Sequence, residues 1–371
     1  ISEGTVLERP LLESYLKYDE LGDPLISKEH IYSFEWADQK EIEIIAEVAQ
    51  GFEGNFQQSK LLIKAAAKSG ANSVKFQLVY ADELATPSYK YFNLFKNLEM
   101  DQNNWRELKT YADELGINLY LDIFGLKSLS LAEKINVEVI KIHGTDITNL
   151  GLLEAIAKSS IKSIILGVGG ASWTEIKKAL VIFKKKPIII ICGFQGYPTK
   201  TKDNHIARME VIKHKAMKIH SDFKMGFADH PDTLDFQATI SLVALGAGAS
   251  VIEKHLTLGK IMEMEDFESA INPDEFASFV TQIRTGTQAL GNRNDQDDFG
   301  MSSAELTYKK NVRRDVVALE NLKTGKAINT SDVTLKRTSN HDAVKELSSV
   351  LKKVIKNDVM KNQPLTIKDI N

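Results

Sequence analysis

A short β-branched run followed by a longer amphipathic stretch recurs eight times between Glu41 and Leu290. The runs are 41-EIEIIAEVA, 72-NSVKFQLV, 118-NLYLDIF, 137-VEVIKIHG, 163-SIILGVGG, 187-PIIIICGF, 222-DFKMGFAD and 250-SVIEKHLTL. Between and after them lie segments with helical spacing, among them Gln57 to Ser69, Asn103 to Leu115, Ser172 to Phe183, Asp232 to Leu245 and Asn272 to Leu290. Several open on an N-capping residue such as Ser172. Strand–helix alternation requires parallel strands, because each helix supplies the crossover that returns the chain to the same end of the sheet. Eight units of this length predict an α/β fold of the closed (β/α)8 TIM-barrel type, with its chemistry where the strands end. An open doubly wound sheet is the competing arrangement.

The alternation assigns residues 41–290 to the barrel. Residues 1–40 are mixed and polar with scattered aromatics, which predicts an N-terminal arm of no legible role. Residues 291–305, opening with 291-GNRNDQDDFGMSS, have the composition of a linker. Residues 306–371 change character. Short strands are broken by turns at Lys323-Thr324-Gly325 and Asn329-Thr330-Ser331, with no long helical period before Asp342, so a small β-rich domain is expected.

Composition narrows the function. Lys and Arg number 47 against 50 Asp and Glu, a formal charge of -3, which argues against a dedicated nucleic-acid binder. The single cysteine, Cys192, suits a reducing compartment, so a cytoplasmic protein is expected. The most apolar run, Pro187 to Cys192, is far shorter than the roughly 20 residues that span a bilayer, and the first thirty residues lack an apolar signal core. Neither a membrane nor an export role is expected.

In a barrel, the polar side chains that matter are those on the inward alternation near the strand ends. They are Glu47 on the first strand, Lys75 and Gln77 on the second, Asp122 on the third, Lys141 and His143 on the fourth, His230 on the seventh, and Glu253 and His255 on the eighth. An apolar interior should not hold this many ionisable groups without a ligand to compensate them. His230 and His255 come from neighbouring strands about 4.8 Å apart, so both imidazoles are expected to reach one divalent ion at roughly 2.1 Å, with its other positions open. Lys75 and Lys141 are expected to flank a pocket on the side of the mouth away from the histidines, and to hold a phosphate or carboxylate there. A Schiff-base role for one lysine is the alternative. Gly51 and Gly54 in 49-AQGFEGN, and the glycines of 166-LGVGG, are candidates for close approach to a ligand. Asp266, in the acidic run 263-EMEDFE after the eighth strand, is placed to reach the metal.

Taken in order, 46-AEVAQGFEGN, 74-VKFQ, 140-IKI, 196-GYPT, 229-DH, 253-EKH, 272-NP and 336-KR resemble the sialic acid synthase family, from about Glu41 to the end of the chain. The resemblance implies a TIM barrel followed by a C-terminal antifreeze-like (SAF) domain. It implies condensation of phosphoenolpyruvate with the open-chain aldehyde of an N-acyl hexosamine, giving a nine-carbon 2-keto acid and phosphate. By the same resemblance, His230 and His255 hold Mn2+ or Mg2+, and Lys75, Gln77 and Lys141 grip phosphoenolpyruvate. Glu47 lies beside the reacting carbons, with Tyr197 and Glu253 near substrate. Arg337 reaches into the partner's barrel in a domain-swapped homodimer. Gly144, Gly167 and Ala228 stand where the family commonly carries serines near the phosphate. A related phosphoenolpyruvate aldol synthase acting on another aldose, or an inert sugar-binding or regulatory barrel, is the alternative.

Overall fold

The eight β-branched runs form eight strands, and in the computed structural model these close on themselves. The structure describes residues 42–193, 196–231, 238–291 and 300–371. The strands are β1 (Glu43–Ala49), β2 (Ser73–Leu78), β3 (Asn118–Ile123), β4 (Val139–Ile142), β5 (Ser163–Gly167), β6 (Ile188–Cys192), β7 (Phe223–Asp229) and β8 (Val251–His255). Each pairs in parallel with the next, and β8 pairs with β1, so no edge remains. The barrel is therefore a (β/α)8 TIM barrel, and the open-sheet alternative is excluded. Helices follow as α1 (Phe56–Lys68), α2 (Gln102–Glu114), α3 (Leu126–Lys134), α4 (Leu150–Lys158), α5 (Trp173–Ile182), α6 (Arg208–Met217), α7 (Thr239–Gly246) and α8 (Pro273–Leu290). Two short helices, Ala81–Leu84 and Phe92–Asn97, occupy the β2–α2 loop.

Strand periodicity sorts the side chains into two layers. On β1, Ile44 and Ala46 point outward to the helices, while Ile45 points inward. Outward, Phe52, Phe76 and Trp105 meet edge to face with centroids 5.6–6.1 Å apart and fasten α2 to β2. Inward, Ile45, Tyr120, Ile165, Ile189, Ile191 and Val251 fill the lower cylinder. Below this apolar layer the Tyr120 hydroxyl donates to the Glu43 carboxylate at 2.6 Å, and above it, at the strand ends, the buried charges gather. The starts of α1, α5 and α8 are capped by Asn55, Ser172 and Asn272, the last with Pro273 at the first helical position.

The chain divides into two compact units on either side of Asn292 and Arg293. The C-terminal unit holds α9 (Ser303–Val312) and an antiparallel pair, β9 (Asp315–Ala318) and β10 (Val333–Lys336), with Val316, Ala318, Leu322, Ile328, Val333 and Leu365 in its core. Helix α9 corrects the expectation that the linker runs to 305 and that a β-rich region follows directly. The Ser302 hydroxyl accepts the Glu305 N–H at 3.1 Å while the Glu305 carboxylate accepts the Ser302 N–H at 2.7 Å, a reciprocal cap that starts a helix with little apolar character. The arm at 1–40, residues 292–299 of the linker and the start of the helix expected at Asp232 lie outside the described residues. No helix among the described residues is long and apolar enough to cross a membrane.

Candidate active site

Strand register gathers the charges. Glu47 on β1 is level with Lys75 on β2 and with His255 on β8; Gln77 is level with Asp122, and Asp122 with Lys141. Inward-facing residues at one level of a closed barrel converge. The Lys75 ammonium is ion-paired with Glu47, lies 2.8 Å from Asp122 and 3.6 Å from Glu253. Lys141 lies 2.7 Å from Glu253 and 4.0 Å from Asp122. All five are buried. Burial alone would raise the Glu253 pKa, but Lys141 and Lys75 hold it well below the usual carboxylate range. For Lys141 burial opposes the charge, yet Glu253 and Asp122 raise its pKa, so it stays an ammonium. For Lys75 burial is the larger influence and lowers the pKa, with Asp122 and Glu253 pulling it back.

Above this ion network opens a cavity of about 310 Å³, within the size range of small-molecule sites. One wall carries His230 and His255, whose ring centroids stand 4.9 Å apart. Tyr197 lies against both, at 5.8 and 5.4 Å, and its hydroxyl donates to the Asp266 carbonyl. Burial lowers His230 to about 3 and puts His255 well below its ordinary value, so both imidazoles are neutral at neutral pH. His230 Nδ1 lies 3.1 Å from the Ala228 carbonyl oxygen, an acceptor that keeps the proton on Nδ1 and the lone pair on Nε2. His143, lowered by burial to about 4, stands beside Thr145 with Nδ1 3.0 Å from its hydroxyl. Gln77 accepts from the Gln50 amide at 2.9 Å, and the Asp266 carboxylate accepts the Gln50 N–H at 3.0 Å.

Neutral imidazoles with a backbone-fixed tautomer are what a divalent ion requires of histidine ligands. The charge balance favours such an ion as well. Three carboxylates against two ammonium groups leave the network with negative charge in excess, and Glu253 Oε2 is buried without a hydrogen-bond partner. Among the described residues no three His, Cys, Asp or Glu side chains come together as metal ligands, and His230 and His255 are the residues whose chemistry suits such an ion.

Several expectations need correction. Lys75 does not line the cavity; it lies beneath the floor, fully buried among its three carboxylates, while Lys141 alone of the two reaches the cavity. Nor do the lysines stand apart from the histidine side, because both face Glu253, two residues from His255 on β8. Gly51 and Gly54 serve the fold: a Cβ at Gly51 would come 3.0 Å from the Glu265 carbonyl oxygen, and one at Gly54 (φ +71°) 2.0 Å from that of Asn97. Likewise a Cβ at Gly144 would come 2.5 Å from the Gly169 carbonyl oxygen, and one at Gly167 3.0 Å from the Gly144 nitrogen, so the loops after β4 and β5 meet where serines were expected. Asp266 lines the cavity, tied to Gln50. Arg337 stands exposed in the C-terminal unit.

Leu84, Phe95, Phe124, Gln50 and Thr145 also line the cavity and were not anticipated. Leu84 and Phe95 ride on the two short helices after β2, whose path no strand pattern reveals. Gln50 carried a readable signal. It follows the irregular end of β1, where Ala49 takes φ +50° and donates its N–H to Glu47 Oε1 at 2.6 Å, within the 49-AQG turn.

With this geometry in place, comparison with known proteins is direct. The NeuB family matches over residues 62–295. A second family, SAICAR synthetase, matches residues 1–58, a stretch that runs from outside the described residues through β1 and the following loop into the first turn of α1. An uncharacterized protein of Methanocaldococcus jannaschii is 34% identical over 318 residues, 85% of this chain and 90% of that protein. The N,N'-diacetyllegionaminic acid synthase of Campylobacter jejuni is 31% identical over 319 residues, 80% of this chain and 90% of that enzyme. Among solved structures, the N-acetylneuraminic acid (sialic acid) synthetase of Leptospira borgpetersenii, in complex with citrate, superposes with a TM-score of 0.66 at 29% identity, over 74% of this chain and 93% of that one. By its barrel, by the length of the matched region and by these relatives, the chain belongs to the NeuB family.

Proposed function

We propose that this protein is a nonulosonic acid synthase that joins phosphoenolpyruvate to the open-chain aldehyde of an N-acyl hexosamine and releases phosphate. The observation that carries the reading is the convergence of Lys141, Glu47, Glu253 and the His230–His255 pair on one cavity at the strand ends. The related legionaminic acid and sialic acid synthases supply the reaction class.

In this reading Lys141 stands as the fixed positive partner of the donor's anionic groups, with His143 and Thr145 as hydrogen-bonding neighbours. Lys75 keeps Glu47 and Asp122 in place from below. The enol carbon C3 of phosphoenolpyruvate forms the new bond to the aldehyde carbon while the C=O π pair moves to oxygen, which takes a proton; water adds at the cationic C2 and gives up a proton, and the tetrahedral product expels phosphate by C–O cleavage as its hydroxyl becomes the C2 ketone. Glu47 lines the cavity and takes the proton that the attacking water loses. Gln77, which accepts from the Gln50 amide, stands with Lys141 on the donor side, and Tyr197 and Gln50 orient the acceptor. His230 and His255 are the residues that would hold Mn2+ or Mg2+, and such an ion supplies electrophilic polarisation of the aldehyde oxygen. The C-terminal unit is read as the antifreeze-like domain, with Arg337 completing the site of a partner in a domain-swapped homodimer.

Incubation with Mn2+, phosphoenolpyruvate and a panel of N-acyl hexosamines tests the proposal. Phosphate release that requires an acceptor, and that stops after the metal is stripped with EDTA, is expected. Metal uptake with no phosphate release for any acceptor would overturn the reading.

A further inference from the structure

Directly behind the two histidines lies a pair of charges that the chemistry above does not use. Asp229 precedes His230 on β7, and Lys254 precedes His255 on β8. Because side chains alternate along a strand, both point away from the cavity into the layer between barrel and helices. There the Asp229 carboxylate accepts the Ser241 hydroxyl of α7 at 2.7 Å, and the Lys254 ammonium lies 3.5 Å from Asp229 and 5.8 Å from the ring centre of Phe279 on α8. Both residues are completely buried. Asp229 and Lys254 are also level partners in the β7–β8 ladder.

We propose that the Asp229–Lys254 pair is a positioning device that sets the level of His230 against His255. Sheet hydrogen bonds and apolar packing tolerate a slipped ladder better than two buried charges do, since among the described residues each charge has the other as its one ion-pair partner. Among the described residues Asp229 is the only ion-pair partner of Lys254, and Asp229 Oδ1 and the Lys254 ammonium have no hydrogen-bond partner there. The pair is thus poorly satisfied and an apolar pair would hold the layer together as well, which points to register rather than stability as its contribution. β7 ends at Asp229, so this residue is the last strand anchor before the His230 imidazole. A slip of even one residue would turn His255 out of the barrel.

For its metal readout the inference rests on the two-histidine reading. The test compares wild type with Asp229→Asn combined with Lys254→Met, which removes both charges and keeps both shapes. The doubly changed protein is expected to unfold within a few degrees of wild type, to bind Mn2+ at least tenfold more weakly by electron paramagnetic resonance titration, and to lose the single Nδ1–H tautomer of His230 in imidazole nitrogen NMR. Wild-type Mn2+ affinity and an unchanged tautomer in a folded double variant would overturn the proposal. So would a double variant that does not fold, because the pair would then hold the barrel together rather than aim the histidines. If wild type itself takes up no Mn2+, the metal reading fails alone, and the tautomer measurement in the same two proteins still decides the positioning role.

Discussion

Lys75 and Lys141 share a residue type and a barrel but sit in different surroundings, and their removal should cost different things. Lys75 is enclosed by Glu47, Asp122 and Glu253, so Lys75→Met leaves three buried carboxylates facing one another and should destabilise the protein by about 3–5 kcal/mol, read by urea unfolding. Lys141→Met should unfold closer to wild type and instead raise the KM for phosphoenolpyruvate tenfold or more in the phosphate-release assay. Asp266 sets a pH signature. Burial raises its carboxyl to about 6, against the Gln50 N–H that pulls it down. In the unfolded chain it ionises near 3.8. Well below the unfolded value, near pH 3 and lower, it is largely protonated in both states and costs little; as pH rises through 4 toward 6 and beyond, the unfolded state gains by ionising first, and the folded state loses stability. Asp266→Asn should therefore lie close to wild type at about pH 3 and exceed it at about pH 7.5 by about 1–2 kcal/mol, measured by thermal unfolding at both pH values. The identities of these residues were legible in the sequence. Their depths were not, because which of two inward lysines reaches the cavity depends on barrel stagger and on Glu253 arriving from the far side of the ring.

The eight strands were readable as elements because each is a dense β-branched run bounded by turn residues, and Ser172 and Asn272 marked helix starts where caps are found. Helix α9 escaped notice since most of its side chains face solvent, leaving no apolar stripe to read; only the Ser302–Glu305 spacing announced it. The loops were the least legible. Leu84 and Phe95 enter the cavity wall from the β2–α2 segment, which Glu83 anchors by accepting the Lys127 and Ser128 N–H groups at the start of α3. The loops after β4 and β5 carry the clearest prediction at this scale. Gly144→Ser would add the hydroxyl expected by resemblance, yet its Cβ meets the Gly169 carbonyl. We expect it to destabilise the barrel by about 1–3 kcal/mol and to lower, not raise, activity, checked by thermal unfolding alongside phosphate release.

The molecule as a whole was legible as a barrel plus an appendage, because a change from 3.6-residue spacing to short strands and turns marks a new core. The assembly has its own test. If Arg337 completes a partner's site, Arg337→Ala chains and His255→Ala chains should each be inactive alone, and a mixture should regain up to about a quarter of wild-type activity, since half of the dimers are mixed and each mixed dimer has one intact site. Sedimentation must show that mixed dimers form, and no recovery on mixing would remove the swapped arrangement. One last consequence concerns the crowding of Gly144 against Gly167, where each residue's bare Cα faces the other loop's backbone. Neither position is open to change by itself. A side chain added at either would have to push the facing backbone aside in the same step, so the two loops behave as one unit that only a coordinated change could rebuild.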